Sequence, residues 1–384
     1  MTSSEKPLPP LEHDAYIWQR SWRAPLLESI AANKDLVRSW RVLAAQVSPT
    51  GKLMPVTVQT RALGESGRPL VMVVRIDGQL PNFDHTRLLD QVLNLHQRWR
   101  DQGLRIGGLE IDHDCGTAKL PGYAKFLEQL RSRLDSGTQL SITSLPAWIS
   151  SRHLANVLGA IDESVLQVHS AQNPANGLFE PVQAGKWIAE YAKKSPTDFR
   201  VALPTYGSRI GFDDSGNVTF VESESALGRG SANSQELIVA PESVRQLMLA
   251  VNENRPKNLL GYAWFRLPTD ADHRAWSIAT WRAVIQGKPL TQTARIMARP
   301  TSDPKLFDLI AQNTGDTDTS PPTRIKLADN CSDADGVSGY AARAVEGHLW
   351  LVRPGPHLLH PLHEISVGWA RCEQDPSKDL HEHS

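Results

Sequence analysis

Between residues 14 and 285 one theme recurs: a short β-prone run, a turn rich in polar residues, then a longer stretch whose apolar residues fall at helical spacing. The runs are 15–19, 40–47, 70–76, 108–112, 139–144, 165–169, 199–205 and 260–266. Helix candidates include 86–102, 120–134, 151–158, 181–194, 241–254 and 274–285. Strands joined through helices pair in parallel. Eight such units in roughly 250 residues predict an α/β fold, a (β/α)8 TIM barrel. An open doubly wound sheet is the alternative, but no GxGxxG or GxxxxGKS follows the first run. Two insertions interrupt the repeat. Residues 53–58 read as an extra strand; 210–212 and 218–221 flank Asp213, Asp214, Ser215, Gly216 and Asn217 and read as a hairpin at the barrel's C-terminal mouth. Residues 222–234 are small and polar, as in a surface loop.

After 285 the helical spacing stops. Pro, Thr and Asp become common, and short β-prone runs at 305–312, 323–327, 340–345, 348–352 and 364–369 predict a small β-sandwich. The expected layout is an unstructured 1–13, a barrel over 14–287, a linker over 288–304, a sandwich over 305–372 and a frayed tail over 373–384. Cys331 and Cys372 flank the sandwich. Reduced thiols are the expected state, and pairing is the alternative in an exported protein. No CxxC suggests structural zinc, and no metal or cofactor is expected. With 41 Lys+Arg against 42 Asp+Glu the net charge is -1, which argues against nucleic acid as a partner. No apolar stretch approaches the roughly 20 residues of a membrane span, and the N-terminus lacks the layout of an export signal. The chain as written reads as soluble and cytoplasmic, or as periplasmic or secreted if its start is incomplete.

The most informative segment is Gly107-Gly108-Leu109-Glu110-Ile111-Asp112-His113-Asp114. Side chains alternate faces along a strand, so Leu109 and Ile111 would face the helices. Glu110, Asp112 and Asp114 would line the barrel interior, with Asp114 nearest the mouth, where barrel enzymes keep their active sites. Three carboxylates in one row repel each other, which raises at least one pKa and suits it to proton donation. The competing reading is an ion network neutralised by Arg75 or Arg266. Other interior candidates are also polar: Asp77 beside Arg75, Ser141 and Thr143, Gln167 and His169. Aromatic residues fall at strand ends, namely Trp18, Trp148, Tyr206 and Trp264, and indole faces stack on sugar rings. Trp264 is the expected cleft residue; Trp40, Trp99, Trp187, Trp276 and Trp281 are expected to be packing residues.

The fourth run resembles that of the family 18 glycoside hydrolases, the chitinase-like barrels, whose D-x-D-x-E ends in the proton-donating Glu; the matching positions here are Glu110, Asp112 and Asp114. Segments 123–134 and 140–146 are similar to that family's next helix and fifth strand, 199–207 to its seventh strand, and Gly261-Tyr-Ala-Trp-Phe265 to its eighth. The resemblance implies carbohydrate as substrate, Asp114, Asp112 and Glu110 as the catalytic set, and Trp264 beneath the sugar. Most of the chain resembles domain of unknown function 3142, through Asp14-Ala-Tyr-Ile-Trp18, the acidic motif and Val367-Gly-Trp369. Two departures stand out. Asp114 is one methylene shorter than the expected Glu, and Val168, His169 and Ser170 stand where the family's acetamido-assisting Tyr belongs.

Two functions follow: a glycosidase with Asp114 as acid and Asp112 or Asp77 as its partner, or a non-catalytic carbohydrate-binding scaffold on the same barrel. Trp18, Asp77, His169, Tyr206, Trp264, Arg266 and Arg75 are the expected sugar contacts. Metal-assisted hydrolysis ranks below both, because His113 points away from its acidic neighbours on the strand.

Overall fold

The computed structural model describes residues 9–383 apart from 49, 79–84, 170–176, 214, 223–233, 356 and 379. Ser170, Asp214 and most of the 222–234 loop therefore lie outside the described residues.

Eight parallel strands form a closed sheet: β1 (Glu12–Ile17), β2 (Ser39–Val47), β3 (Leu70–Ile76), β4 (Ile106–His113), β5 (Gln139–Ser144), β6 (Glu163–Gln167), β7 (Asp198–Pro204) and β8 (Leu259–Phe265). Each pairs with its sequence neighbour, and β1 pairs with both β2 and β8, which closes the barrel. The short strand Leu53–Pro55 adds antiparallel to β2, the extra strand expected from 53–58.

The helices follow from the apolar spacing. In His85–Asp101, Leu88, Leu89, Val92, Leu95 and Trp99 form one buried stripe, with Arg98 and Arg100 in the last turn, where cations suit the helix dipole. Pro181–Lys194 starts at a Glu180 cap, which accepts from the Val182 and Gln183 amides, and ends on Lys193 and Lys194. The expected helices 151–158 and 274–285 are shorter, Leu154–Leu158 and Ile278–Ile285.

The described residues of Met1–Thr205 and Ser243–Thr269 make one compact unit, and those of Tyr206–Glu242 and Asp270–Ser384 a second. Residues 206–242 and 270–287, expected within the barrel domain, thus pack with the second unit. There the hairpin exists, Ser208–Phe212 against Val218–Glu222, and Ser234–Leu237 joins it as a third strand.

Two four-stranded antiparallel sheets form the predicted sandwich. One contains Ala294–Pro300, Leu306–Asn313, Glu364–Cys372 and Cys331–Gly336; the other contains Ala341–Val345, His348–Val352, Arg324–Lys326 and His381–His383. Phe307, Leu309, Ala311, Ile325, Leu351, Val367 and Ala370 share one core between them. Four expectations are corrected. Residues 294–300 of the supposed linker are a strand, because Ile296 supplies an inward apolar position. Residues 381–383 of the supposed tail pair with Arg324–Lys326. Cys331 and Cys372 form a disulfide instead of remaining thiols, since they are register partners on adjacent strands. At the other end of the chain, β1 takes Glu12 and His13 from the segment expected to be unstructured. Among the described residues no helix is long and apolar enough to cross a membrane.

Candidate active site

The β4 row builds the site from the barrel floor upward. Leu109 and Ile111 are fully buried on the alternate face, and Tyr123 donates from its hydroxyl to the Ile111 carbonyl. The inner face carries Glu110, Asp112 and then Asp114, and the three acids have different environments.

Glu110 is fully buried in an ion network. Tyr16 donates its hydroxyl proton to Oε1 (2.8 Å), and Arg41 and Ser141 (3.2 Å) donate to Oε2. Arg41 also holds Asp14 (2.9 Å) and Glu163; Arg200 holds Glu163 (3.1 Å) and approaches Asp14 (3.4 Å). Burial pushes the Glu110 carboxyl up, and the Arg41 charge opposes that. Burial alone would raise Asp14 too, but Arg41, Arg200 and Arg38 outweigh it and hold that carboxyl well below the usual range. This layer replaces the Val, Ile and Leu usual in a barrel floor with paired charges, though Nη1 of Arg200 is buried without a hydrogen-bond partner. Glu110, expected among the catalytic acids, is thus fully buried and held by Tyr16, Arg41 and Ser141.

Asp112 and Asp114 share one cation. Arg75 on β3 donates from Nη1 to Asp112 Oδ2 (2.7 Å) and from Nη2 to Asp114 Oδ2 (3.0 Å). Thr143 on β5 donates to Asp112 Oδ1 (2.6 Å). Asp112 is almost fully buried, whereas the side chains of Asp114 and Arg75 remain 30% and 29% exposed. Oδ1 of Asp114 is buried and has no hydrogen-bond partner. Burial pushes Asp114 up, the Asp112 charge pushes it further and the Arg75 guanidinium opposes both, leaving it at about 6. The negative charge of Asp77 adds to the rise. A carboxyl poised there gives up a proton readily near neutral pH.

The turn that carries Asp114 is fixed from three sides. Gly78 approaches so closely that a Cβ there would lie 1.8 Å from the Asp114 carbonyl oxygen. Trp148 donates its indole proton to the Cys115 carbonyl (2.8 Å), and Lys119 donates to the Gly78 carbonyl (3.0 Å). Trp148 is therefore a buried support for this turn and not an exposed platform.

The aromatic residues are arranged differently from the sequence expectation. Trp18 lies beside Arg75, whose guanidinium stands 5.7 Å from the ring centroid, and packs edge-on against Phe265 (5.0 Å). His169 stacks on Phe265 (5.4 Å), and burial pushes its imidazole down to about 3, so it is neutral at ordinary pH. Trp264, expected in the cleft, is fully buried on the opposite face of β8, where its indole donates to His13 Nδ1 (3.0 Å) and stacks on that ring. The reason is parity: Ala263 and Phe265 take the inner positions, and one step along a strand reverses the face. Phe265 is the interior aromatic that the sequence reading missed, and its place in alternation with Ala263 was the available signal. Arg41, Arg200 and Glu163 were missed as well, though Arg41 and Arg200 are charged residues between apolar neighbours on a strand. Arg266 is buried, and its carbonyl accepts from the Thr205 hydroxyl. Tyr206 is buried in the second unit. His113 lies on the helix-facing side near Tyr123 and the Ile76 carbonyl. No group of three or more potential metal ligands occurs among the described residues.

The closed parallel barrel with its acidic fourth strand is a (β/α)8 fold, shared with a chitinase and a cortex-lytic enzyme. The chain belongs to the family described as Domain of unknown function (DUF3142), whose model matches residues 66–270. A second model, Domain of unknown function (DUF8456), matches 296–373, within the sandwich unit. The spore cortex-lytic enzyme SleL of Bacillus cereus superposes with a TM-score of 0.51 at 14% identity, over 73% of this chain and 74% of that one. A chitinase from Chromobacterium violaceum gives 0.52 at 13% identity, over 72% and 99%. At such identities the likeness is one of fold. No curated protein matches the sequence.

Proposed function

We propose that this protein is a glycoside hydrolase acting on a poly- or oligosaccharide at the C-terminal mouth of its barrel, with Asp114 as proton donor to the leaving oxygen. The observation that carries this reading is the contrast between two adjacent acids. Asp112 is bound on both oxygens by Arg75 and Thr143, while Asp114 keeps an unpartnered oxygen, partial exposure and a pKa near 6. Asp112 then faces the positive charge that develops on the sugar, with Asp77 as the further acid at the same end. Trp18 and Phe265 supply apolar faces beside the acids. The fold shared with a chitinase and a cortex-lytic enzyme supports carbohydrate as the ligand class. Glu110 serves as a structural anchor in this scheme, being sealed by Tyr16 and Arg41.

The Arg75–Asp114 ion pair favours a second reading, in which the mouth binds glycan without cleaving it. Product release from a broad glycan panel separates the two. Cleavage that falls by about 10²–10⁴ in Asp114→Asn supports the hydrolase. Binding without turnover in the wild type supports the binding protein, and unchanged cleavage by Asp114→Asn removes Asp114 from the mechanism.

A further inference from the structure

The outer faces of the two sandwich sheets differ in charge. On the first sheet, three cations at or beside the strands are matched by acids, Arg299 with Glu364, Arg371 with Asp303 and Lys305 with Glu373, and Arg295 is exposed on the outer side. On the second, Ile325, Leu349, Leu351 and Ala342 turn toward the core, so strand alternation places Arg324, Lys326, Arg343, His348 and Trp350 on the outer side. Register puts Arg343, Trp350 and Lys326 in one row across three strands, and Arg324 lies two residues along from Lys326 on the same face. The Arg324 guanidinium stands 4.8 Å from the centroid of the Trp350 ring, which holds its planar fork in place while the residue stays exposed. Arg343, on the other side of Trp350, is also exposed. No outward position on these three strands carries an acid; the nearby Asp329 lies beyond them and pairs with His348 (2.7 Å) and more loosely with Lys326 (3.9 Å).

We propose that this face binds an acidic polysaccharide, specifically one bearing uronate carboxylates. A guanidinium pre-oriented on an indole matches a planar carboxylate through paired N–H donors, and two such residues flanking a ring suit a repeating anionic chain. With a net charge of -1 the chain has no broad positive field, so the row acts as a local cationic site whose two guanidiniums about an indole fit carboxylates spaced along a chain of sugar rings. The site goes beyond the barrel reading and does not depend on catalysis.

Binding of the full chain to polygalacturonate, measured by affinity electrophoresis and calorimetry, tests it without requiring turnover. The expected results are retention by polygalacturonate and not by neutral dextran, and weakening as salt rises from about 50 to 200 mM. Affinity is expected to fall at least about tenfold in the double variant Arg324→Ala/Arg343→Ala, since it removes the charge-assisted hydrogen bonds to the carboxylates. Arg299→Ala on the other sheet leaves binding unchanged. Both altered arginines in the double variant are exposed, and an unchanged unfolding midpoint verifies that it folds. Equal binding by the double variant, equal retention by dextran, or tighter binding to single-stranded DNA or to a sulfated glycan than to polygalacturonate overturns the proposal.

Discussion

Asp114 shows how much a single residue's chemistry depends on its supports. Its carboxyl stands at about 6 because burial and Asp112 outweigh Arg75. As a proton donor it is charged, and inactive, above that pH, so cleavage should decline as pH rises through about 6. Arg75→Ala removes the opposing positive charge, which moves the carboxyl and the alkaline limb of the rate profile upward by about one unit or more. Carbon-13 NMR titration of the Asp114 carboxyl checks the same shift without substrate. Gly78→Ala acts by geometry: its new methyl meets the Asp114 carbonyl and must displace that turn. A misplacement near 1 Å at a reacting group costs up to about 10²-fold in rate. The kcat of Gly78→Ala is therefore expected to fall tenfold or more, read at a temperature where its unfolding curve shows the variant folded. Of these contributors, the acid row and Arg75 were legible from strand alternation. The grip of Gly78 and Trp148 on the turn was not, because it joins segments that local spacing does not relate.

At the scale of elements, alternation made β4 readable: apolar Leu109 and Ile111 outward, acids inward. The same rule applied to β8 selects Phe265, and choosing the aromatic type over the parity gave Trp264 instead. The floor network links β1, β2, β4, β6 and β7 through Arg41 and Arg200. Arg41→Met leaves Glu110 without its cation in the barrel interior. Breaking a buried pair by removing one partner costs about 3–5 kcal/mol, which urea unfolding at pH 7 would measure. The loss should shrink at lower pH. Without Arg41 the Glu110 carboxyl rises further above its unfolded value, so the native state holds a proton that the unfolded chain releases, and acid favours the folded form.

For the whole molecule, the barrel and the sandwich each have a core of their own, and only the sandwich holds a disulfide. Closing a loop with a sequence separation of 41 stabilises by about 2–4 kcal/mol on the chain-entropy account. Reductant, or Cys372→Ser, is expected to lower the melting transition reported by the sandwich and leave that of the barrel in place. Calorimetry with and without reductant checks this, and a single transition shifted as a whole would contradict it. The eight-fold β/α repeat, the inward acid row of β4 and the sandwich class were legible in the sequence, because periods of 2 and 3.6 residues are set by backbone geometry within a few positions. Only tertiary closure decided which charge meets which. Arg41 reaches Glu110 and Glu163 across 69 and 122 residues, one guanidinium bridges Asp112 and Asp114, and Cys331 finds Cys372. Those pairings depend on strand order and register around a closed sheet, quantities that no short window of residues contains.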